Sequence, residues 1–166
     1  MAVRTLVLLA LAGLLACGEE PREPDPDVRV RVGIVAVDEN NLPVVILEEQ
    51  DGPRLLPIWI GTAEARSIAS EMEQKPPPRP NTHDLAKRII QGLDGEIVRV
   101  VVTDLRRGTY FATISVLSRG ERVDIDARPS DALAIALRLN APIFVRASLL
   151  GGEESSPVGE DEGQRI

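Results

Sequence analysis

The sequence is poor in four things: it has one cysteine, one histidine, two lysines and four aromatic rings in 166 residues. A lone cysteine excludes an intrachain disulfide framework and any zinc site built from several thiolates. Trp59, Tyr110, Phe111 and Phe144 are too few for an extended surface on which successive bases stack. The longest apolar run, Leu6 to Leu15, is about half of the roughly 20 residues that a membrane-spanning helix needs. No P-loop, dinucleotide fingerprint, GxSxG elbow or HExxH pattern occurs. The length is room for one domain. With 43% hydrophobic and 27% charged residues, the chain is neither collagenous nor wholly disordered.

What is abundant is acid, and its placement matters more than its total. There are 26 Asp and Glu against 19 Lys and Arg, a formal net charge of -7. Residues 18–27 and residues 151–166 each carry five acids and one base. Without those segments and Arg4, residues 28–150 hold 16 acids and 16 bases. The core is therefore electrically neutral. The flanks are rich in Pro, Gly, Ser and Glu, a composition that buries too little apolar surface to offset the entropy of ordering. They are predicted to be a tether and a disordered tail.

Residues 1–17, MAVRTLVLLALAGLLAC, place Arg4 before a ten-residue apolar stretch and end on Ala16-Cys17. This is the pattern of a secretory signal. Its end resembles the lipobox of bacterial lipoproteins, which implies removal of residues 1–16 and lipidation of Cys17. Gly18 in place of aspartate favours the outer membrane or cell surface over the inner membrane as destination.

From Val28 the period is two: Val28, Val30, Val32 and Ile34 on one face, Arg29 and Arg31 on the other. A turn at Asp38–Asn41 and a return strand Val44–Leu47 predict a hairpin. Leu55–Ile60 is a further strand in which Pro57 suits an edge or a bulge. Gly61–Glu73 turns helical through Ala65, Ile68, Ala69 and Met72, with Thr62 as candidate N-cap. The Lys75–Pro80 run breaks the chain, and Asn81 or Thr82 caps a second helix with Leu85, Ala86, Ile89, Ile90 and Leu93 as its apolar face. Strands follow at Ile97–Thr103, Tyr110–Leu117 and Arg122–Ala127, joined by Arg106-Arg107-Gly108 and Arg119-Gly120. Pro129–Asn140 is a third helix, apolar nearly all round and so predicted to be central, and Pro142–Val145 closes the fold. The fold class is α+β: one compact domain over 28–150, with a mixed, largely antiparallel sheet and three helices.

Several polar residues sit where chemistry needs them. His83 lies in the first turn of the second helix beside Asp84, and is either a ligand or base, or a surface residue in a capped turn. Asp124, Asp126 and Arg128 share one strand face with Arg122, as a cation site completed by substrate phosphate or as cross-strand ion pairs. Glu64 and Asp131 each open a helix, which an acid favours with no function at all. Three acids at three helix starts carry chemistry only if those starts converge.

The stretches LPIWIGTAEARSIA (56–69), RPNTHDLAKRII (79–90) and DARPSDALAIALRLNAPIFV (126–145) resemble the bifunctional nuclease domain family. The resemblance implies an α+β domain that self-associates as a homo-oligomer, with DNA or RNA as substrate. The recurrent polar residues of those motifs fall here on Glu64, His83, Asp84, Asp126, Arg128, Ser130 and Asp131. On that basis Glu64, His83, Asp126 and Asp131 are candidate catalytic residues, and Arg128 and Arg79 candidate phosphate ligands. Asp126, Asp131 and Asp84 are the candidate ligands of Mg²⁺ or Mn²⁺. A neutral core leaves nucleic-acid affinity to a local arginine cluster, Arg79, Arg88, Arg106, Arg107 and Arg128. The alternative is a non-catalytic binding or assembly module of the envelope on the same fold.

Overall fold

Val28, Val30 and Val32 do alternate with Arg29 and Arg31. In the computed structural model, which describes residues 25–151, they lie on strand β1 (Asp27–Val37). Val30 is buried, while Arg31 pairs across the other face with Glu48 at 2.6 Å. The alternation placed Ile34 with the valines, and the strand departs from that. Its register shifts between Val32 and Ile34, so Gly33 is the extra residue of a β-bulge. The bulge turns Ile34 outward, 52% exposed, and packs Val35 against the core.

The chain continues through β2 (Pro43–Glu49), β3 (Leu55–Trp59), α1 (Thr62–Met72), α2 (Thr82–Gly92), β4 (Gly95–Arg106), β5 (Thr109–Ser118), β6 (Glu121–Ala127), α3 (Pro129–Leu139) and β7 (Ile143–Arg146). The seven strands form one sheet in the order β3-β2-β1-β7-β4-β5-β6. Every pairing is antiparallel except β4 with β7. The α+β class is thus the one read from the sequence. Pro57 lies on β3, an edge strand, where its missing N–H breaks no ladder. The β4–β5 and β5–β6 links are two-residue turns, Arg107-Gly108 and Arg119-Gly120, with positive φ at both positions. That backbone matches strand twist, and glycine supplies it at the second position without strain.

All three helices pack on the sheet face that carries Val30, Leu47, Val100 and Ile114. α3 is central, in contact with α1 on one side and α2 on the other. Ala132, Leu133, Ala134 and Ala136 have no exposed surface, in line with a helix apolar nearly all round. Arg138 is the exception: it is buried too.

Helix α2 differs from expectation. Of its predicted apolar face only Ala86 and Ile90 turn inward, and Leu85, Ile89 and Leu93 stay more than half exposed. The helix sits over the end of β4 and meets α3, with no element packed outside it among the described residues. The described part of the acidic segment, Asp25 to Asp27, is tied to the end of the domain. Asp25 accepts hydrogen bonds from the Ser148 backbone N–H at 3.0 Å and hydroxyl at 2.5 Å, and Asp27 already pairs with Arg146. The signal-like stretch, Cys17 and residues 152–166 lie outside the described residues.

Candidate active site

The three helix starts converge. β3 and β6 are opposite edges of the sheet. The helices that follow them, α1 and α3, fold back over the same face, and twist of about 20 to 25° per strand pair turns the strand ends toward one another. Arg128, the residue between β6 and α3, therefore reaches Glu64 in the first turn of α1: its Nη2 donates to Glu64 Oε1 at 2.6 Å. The same guanidinium donates to Asp131 through Nε at 2.7 Å and Nη2 at 3.1 Å. His83, in the first turn of α2, completes the group from behind with Nε2 at 3.1 Å from Asp131 Oδ1. These residues line a cleft of about 220 Å³ with Ser67, Asn81 and Thr82.

Local sequence explains why each side chain is available. α1 and α3 have no side-chain cap, since Gly61 and Arg128 occupy their N-cap positions. Thr62, the expected cap of α1, is instead its first helical residue. Gly61 also makes room for the site, because a Cβ there would collide with Glu64 Oε2. Pro129 at the first position of α3 costs no hydrogen bond. α2 is different. Asn81 Oδ1 accepts from the N–H groups of His83 and Asp84 at 2.9 and 3.0 Å, and Asp84 Oδ2 accepts from the Asn81 N–H at 2.8 Å. This capping box fixes the Asn81 amide with Nδ2 as donor.

That orientation decides the state of His83. Ser67 Oγ accepts from Asn81 Nδ2 at 3.0 Å and from Arg138 Nη2 at 2.9 Å, which fills both of its lone pairs. Its own proton must then go to His83 Nδ1, 2.8 Å away. With Nδ1 accepting from Ser67, the Nε2 proton is the one the ring donates to Asp131. His83 has no lone pair left for a reacting proton. In this arrangement it orients Asp131.

The carboxyls are held ionised. For Asp131, burial pushes the carboxyl up, but hydrogen bonds from Arg128 and His83 outweigh it and leave the group below the usual range. Glu64 is lowered by its own backbone N–H and by Arg128. Asp84 is raised by burial and lowered further by Arg138 and the Asn81 N–H. Reciprocally, Asp131 and Glu64 raise Arg128 further above its ordinary value. Folded carboxyls that lie below their unfolded value of about 4 add stability that is fully present above that value. The stabilisation is lost as pH falls through the folded values. The melting temperature is therefore expected to be flat above about pH 5 and to drop below about pH 4. In Arg128→Gln the drop is shallower, because Glu64 and Asp131 lose one of the contacts that depress them and keep only the Glu64 backbone N–H and His83. Thermal melts across that range check this.

The other sequence candidates lie elsewhere. Asp84 faces away from the cleft, its Oδ1 2.7 Å from Arg138 Nε. Asp126 is exposed on the face of the sheet away from the helices, in register with Thr113. Its neighbour Asp124 accepts from Ser115 Oγ at 2.5 Å, and Arg122 donates to the same hydroxyl at 2.8 Å, which is the ion-paired strand face. Arg79 is exposed in the proline-rich loop before α2 and lines neither cleft beside Arg128. Asp126, Asp131 and Asp84 are thus not brought together. Among the described residues no three His, Cys, Asp or Glu side chains are grouped to hold a metal ion.

Sequence reading did not single out Ser67 or Arg138. Arg138 had a visible signal, as the one basic residue within an otherwise apolar helical run. Ser67 had none, because its partners are 14, 16 and 71 residues away.

Comparison with known proteins matches the segment that carries this site. Residues 45–157 match the bifunctional nuclease domain. An uncharacterized protein of Mycobacterium tuberculosis is 44% identical over 151 residues, covering 84% of this chain and 90% of that one. Bifunctional nuclease 1 of Arabidopsis thaliana is 32% identical over 111 residues, and bifunctional nuclease 2 of the same plant 30% over 109. The matches span 34% and 33% of those two proteins, about a third of each. With the family model matching more than half of its length, the chain belongs to the bifunctional nuclease domain family.

Proposed function

We propose that this chain hydrolyses phosphodiester bonds of nucleic acid at the cleft where α1, α2 and α3 begin. The observation that carries the proposal is the bridging of Glu64 and Asp131 by Arg128, whose Nη1 takes no part in those bonds and whose side chain is 66% exposed. Arg128 binds a phosphate oxygen through that free edge of its fork. Both Asp131 oxygens are engaged by Arg128, one of them by His83 as well, whereas among the described residues Glu64 Oε2 accepts from no other side chain. Glu64 is therefore the base. Water attacks phosphorus, its proton passes to Glu64, and the departing oxygen takes a proton from solvent. Asp131 and His83 hold Arg128 in place.

A divalent cation belongs to this proposal only in a limited form. The residues do not make a closed metal site, and Arg128 already bridges the two carboxylates that lie together. Mg²⁺ that shares its shell with substrate phosphate asks a protein for one or two carboxylates, and with both Asp131 oxygens engaged, Glu64 is the one that would hold it. Such an ion would polarise a phosphoryl oxygen.

Cleavage of labelled nucleic acid, with Mg²⁺ or Mn²⁺ and with chelator, tests the reading when Glu64→Gln is prepared identically. Activity that falls at least tenfold in Glu64→Gln supports it. Equal activity in both preparations removes Glu64 from the chemistry. His83→Gln separates positioning from proton transfer. A positioning role predicts a modest loss, about tenfold, with an unchanged pH profile, whereas a general base would lose a limb of that profile. The pairing of both acids with an arginine favours a second reading, a binding module without catalysis, and absence of cleavage in every preparation would select it.

Lipid anchoring through Cys17 at the outer membrane or cell surface is part of the proposal on the strength of residues 1–18 alone. Incorporation of labelled palmitate, lost in Cys17→Ser, checks it. Self-association is supported by the exposed Leu85, Ile89 and Leu93 stripe.

A further inference from the structure

We infer that the substrate is an unpaired strand, one of whose bases stacks on Trp59 in the cleft that adjoins Arg128. The inference rests on the nuclease reading and deepens it. Four aromatic rings in the whole chain are too few for a stacking surface, yet the fold takes two of them to one place. Trp59 at the end of β3 and Tyr110 at the start of β5 both line a cleft of about 330 Å³, and Arg128 lines it with them. Arg128 also lines the cleft of Glu64 and Asp131, so it stands between an aromatic compartment and a carboxylate compartment. A nucleotide has this division: an aromatic base on one side of its phosphate and the scissile bond on the other.

The aromatic compartment is preorganised. Trp59 is 43% exposed, and its Nε1 donates to Asp38 Oδ2 at 3.0 Å. Asp38 is itself pinned by the β1–β2 turn, its Oδ1 accepting from the N–H groups of Asn40 and Leu42 at 2.8 Å each. The indole is held at one edge with part of its surface open. Tyr110 is half-buried against the core beside the tight turn at Gly108. Apolar Ile58 and Ile60 complete the compartment. Its volume is at the lower end for small-molecule sites and suits a single base. A base within a duplex has both faces covered by its neighbours and cannot stack there, whereas an unpaired base can. Stacking also supplies affinity that the neutral core does not provide through phosphate contacts.

Trp59 is the one tryptophan of the chain, so its emission reports this cleft alone. The test titrates the full chain with a short phosphorothioate DNA, which resists cleavage, as a single strand and annealed to its complement. Saturable quenching of Trp59 emission by the single strand is expected, with the duplex binding at least tenfold more weakly. By anisotropy of a labelled strand, Trp59→Leu is expected to bind about five- to 150-fold more weakly, and Trp59→Phe to keep most of the affinity. Equal affinity for strand and duplex would overturn the inference. So would single-strand binding that leaves Trp59 emission unchanged, a result that needs no variant to fold. The nuclease reading fails independently, through absence of cleavage, and that outcome leaves the quenching result standing.

Discussion

Arg138→Met is expected to lower the melting temperature by about 10 to 20 °C, the largest stability effect of any single polar substitution in this domain. Only 1% of the Arg138 side chain is exposed, on a helix whose other buried side chains are almost all apolar. Its guanidinium donates to Asp84 Oδ1 at 2.7 Å, to the Ala134 carbonyl at 2.9 Å, and to Ser67 through Oγ at 2.9 Å and O at 3.3 Å. Methionine fills much of the volume and satisfies none of these acceptors. Removing one partner of a buried ion pair costs about 3 to 5 kcal/mol, because the other charge stays buried without compensation. Here that charge is Asp84, which is partly buried and keeps only the Asn81 N–H that closes the capping box of α2. Arg138→Lys restores the charge but not the fork, and an intermediate loss is expected. Melts followed by circular dichroism decide it: a drop under about 3 °C would mean that the network contributes little.

Arg128→Ala is expected to do the reverse, with a large loss of activity and little loss of stability. The side chain is 66% exposed, and exposed ion pairs contribute about 0 to 1 kcal/mol. Its loss also leaves Glu64 and Asp131 facing each other without the charge between them. A donor aimed at developing charge on a reacting group contributes about a hundredfold to a thousandfold in rate, and that is the expected loss of cleavage. Arg128→Lys is expected to recover only a small part, since an ammonium cannot hold both carboxylates and a phosphate together. Single-turnover cleavage beside melting curves for each variant checks the contrast.

These two arginines also mark what the sequence made legible. Strand periodicity survives translation into structure, because the alternating valines of β1, the turn dipeptides and the apolar α3 are local signals. The bulge at Gly33 is local as well, but a glycine in an alternating run does not announce which way the next residue turns. The exposed stripe of α2 shows the limit of a helical pattern, which gives a face and not its neighbour. The site was half legible. Glu64, His83, Arg128 and Asp131 were candidates from their motifs, and the structure brings them into one cleft. Asp84, Asp126 and Arg79 were equal candidates by the same signal and lie outside it. The difference is made by contacts over 48 to 71 residues of chain, set by sheet order and twist. The role of His83 depends on how Asn81 and Arg138 fill the lone pairs of Ser67. Composition misled most with the aromatics, since a count of four says nothing about two of them meeting beside Arg128.

The most direct test of the convergent cleft as the site of chemistry is a paired comparison of Arg128→Ala and Asp126→Ala. Both residues belong to the same motif and lie two positions apart, on different sides of the sheet. Cleavage of a labelled single strand would be measured for both variants and the unaltered chain, purified identically. Asp126→Ala is expected to keep the activity of the unaltered chain, and Arg128→Ala to lose it. Loss in Asp126→Ala with retention in Arg128→Ala would move the chemistry to the strand face and away from the convergent cleft.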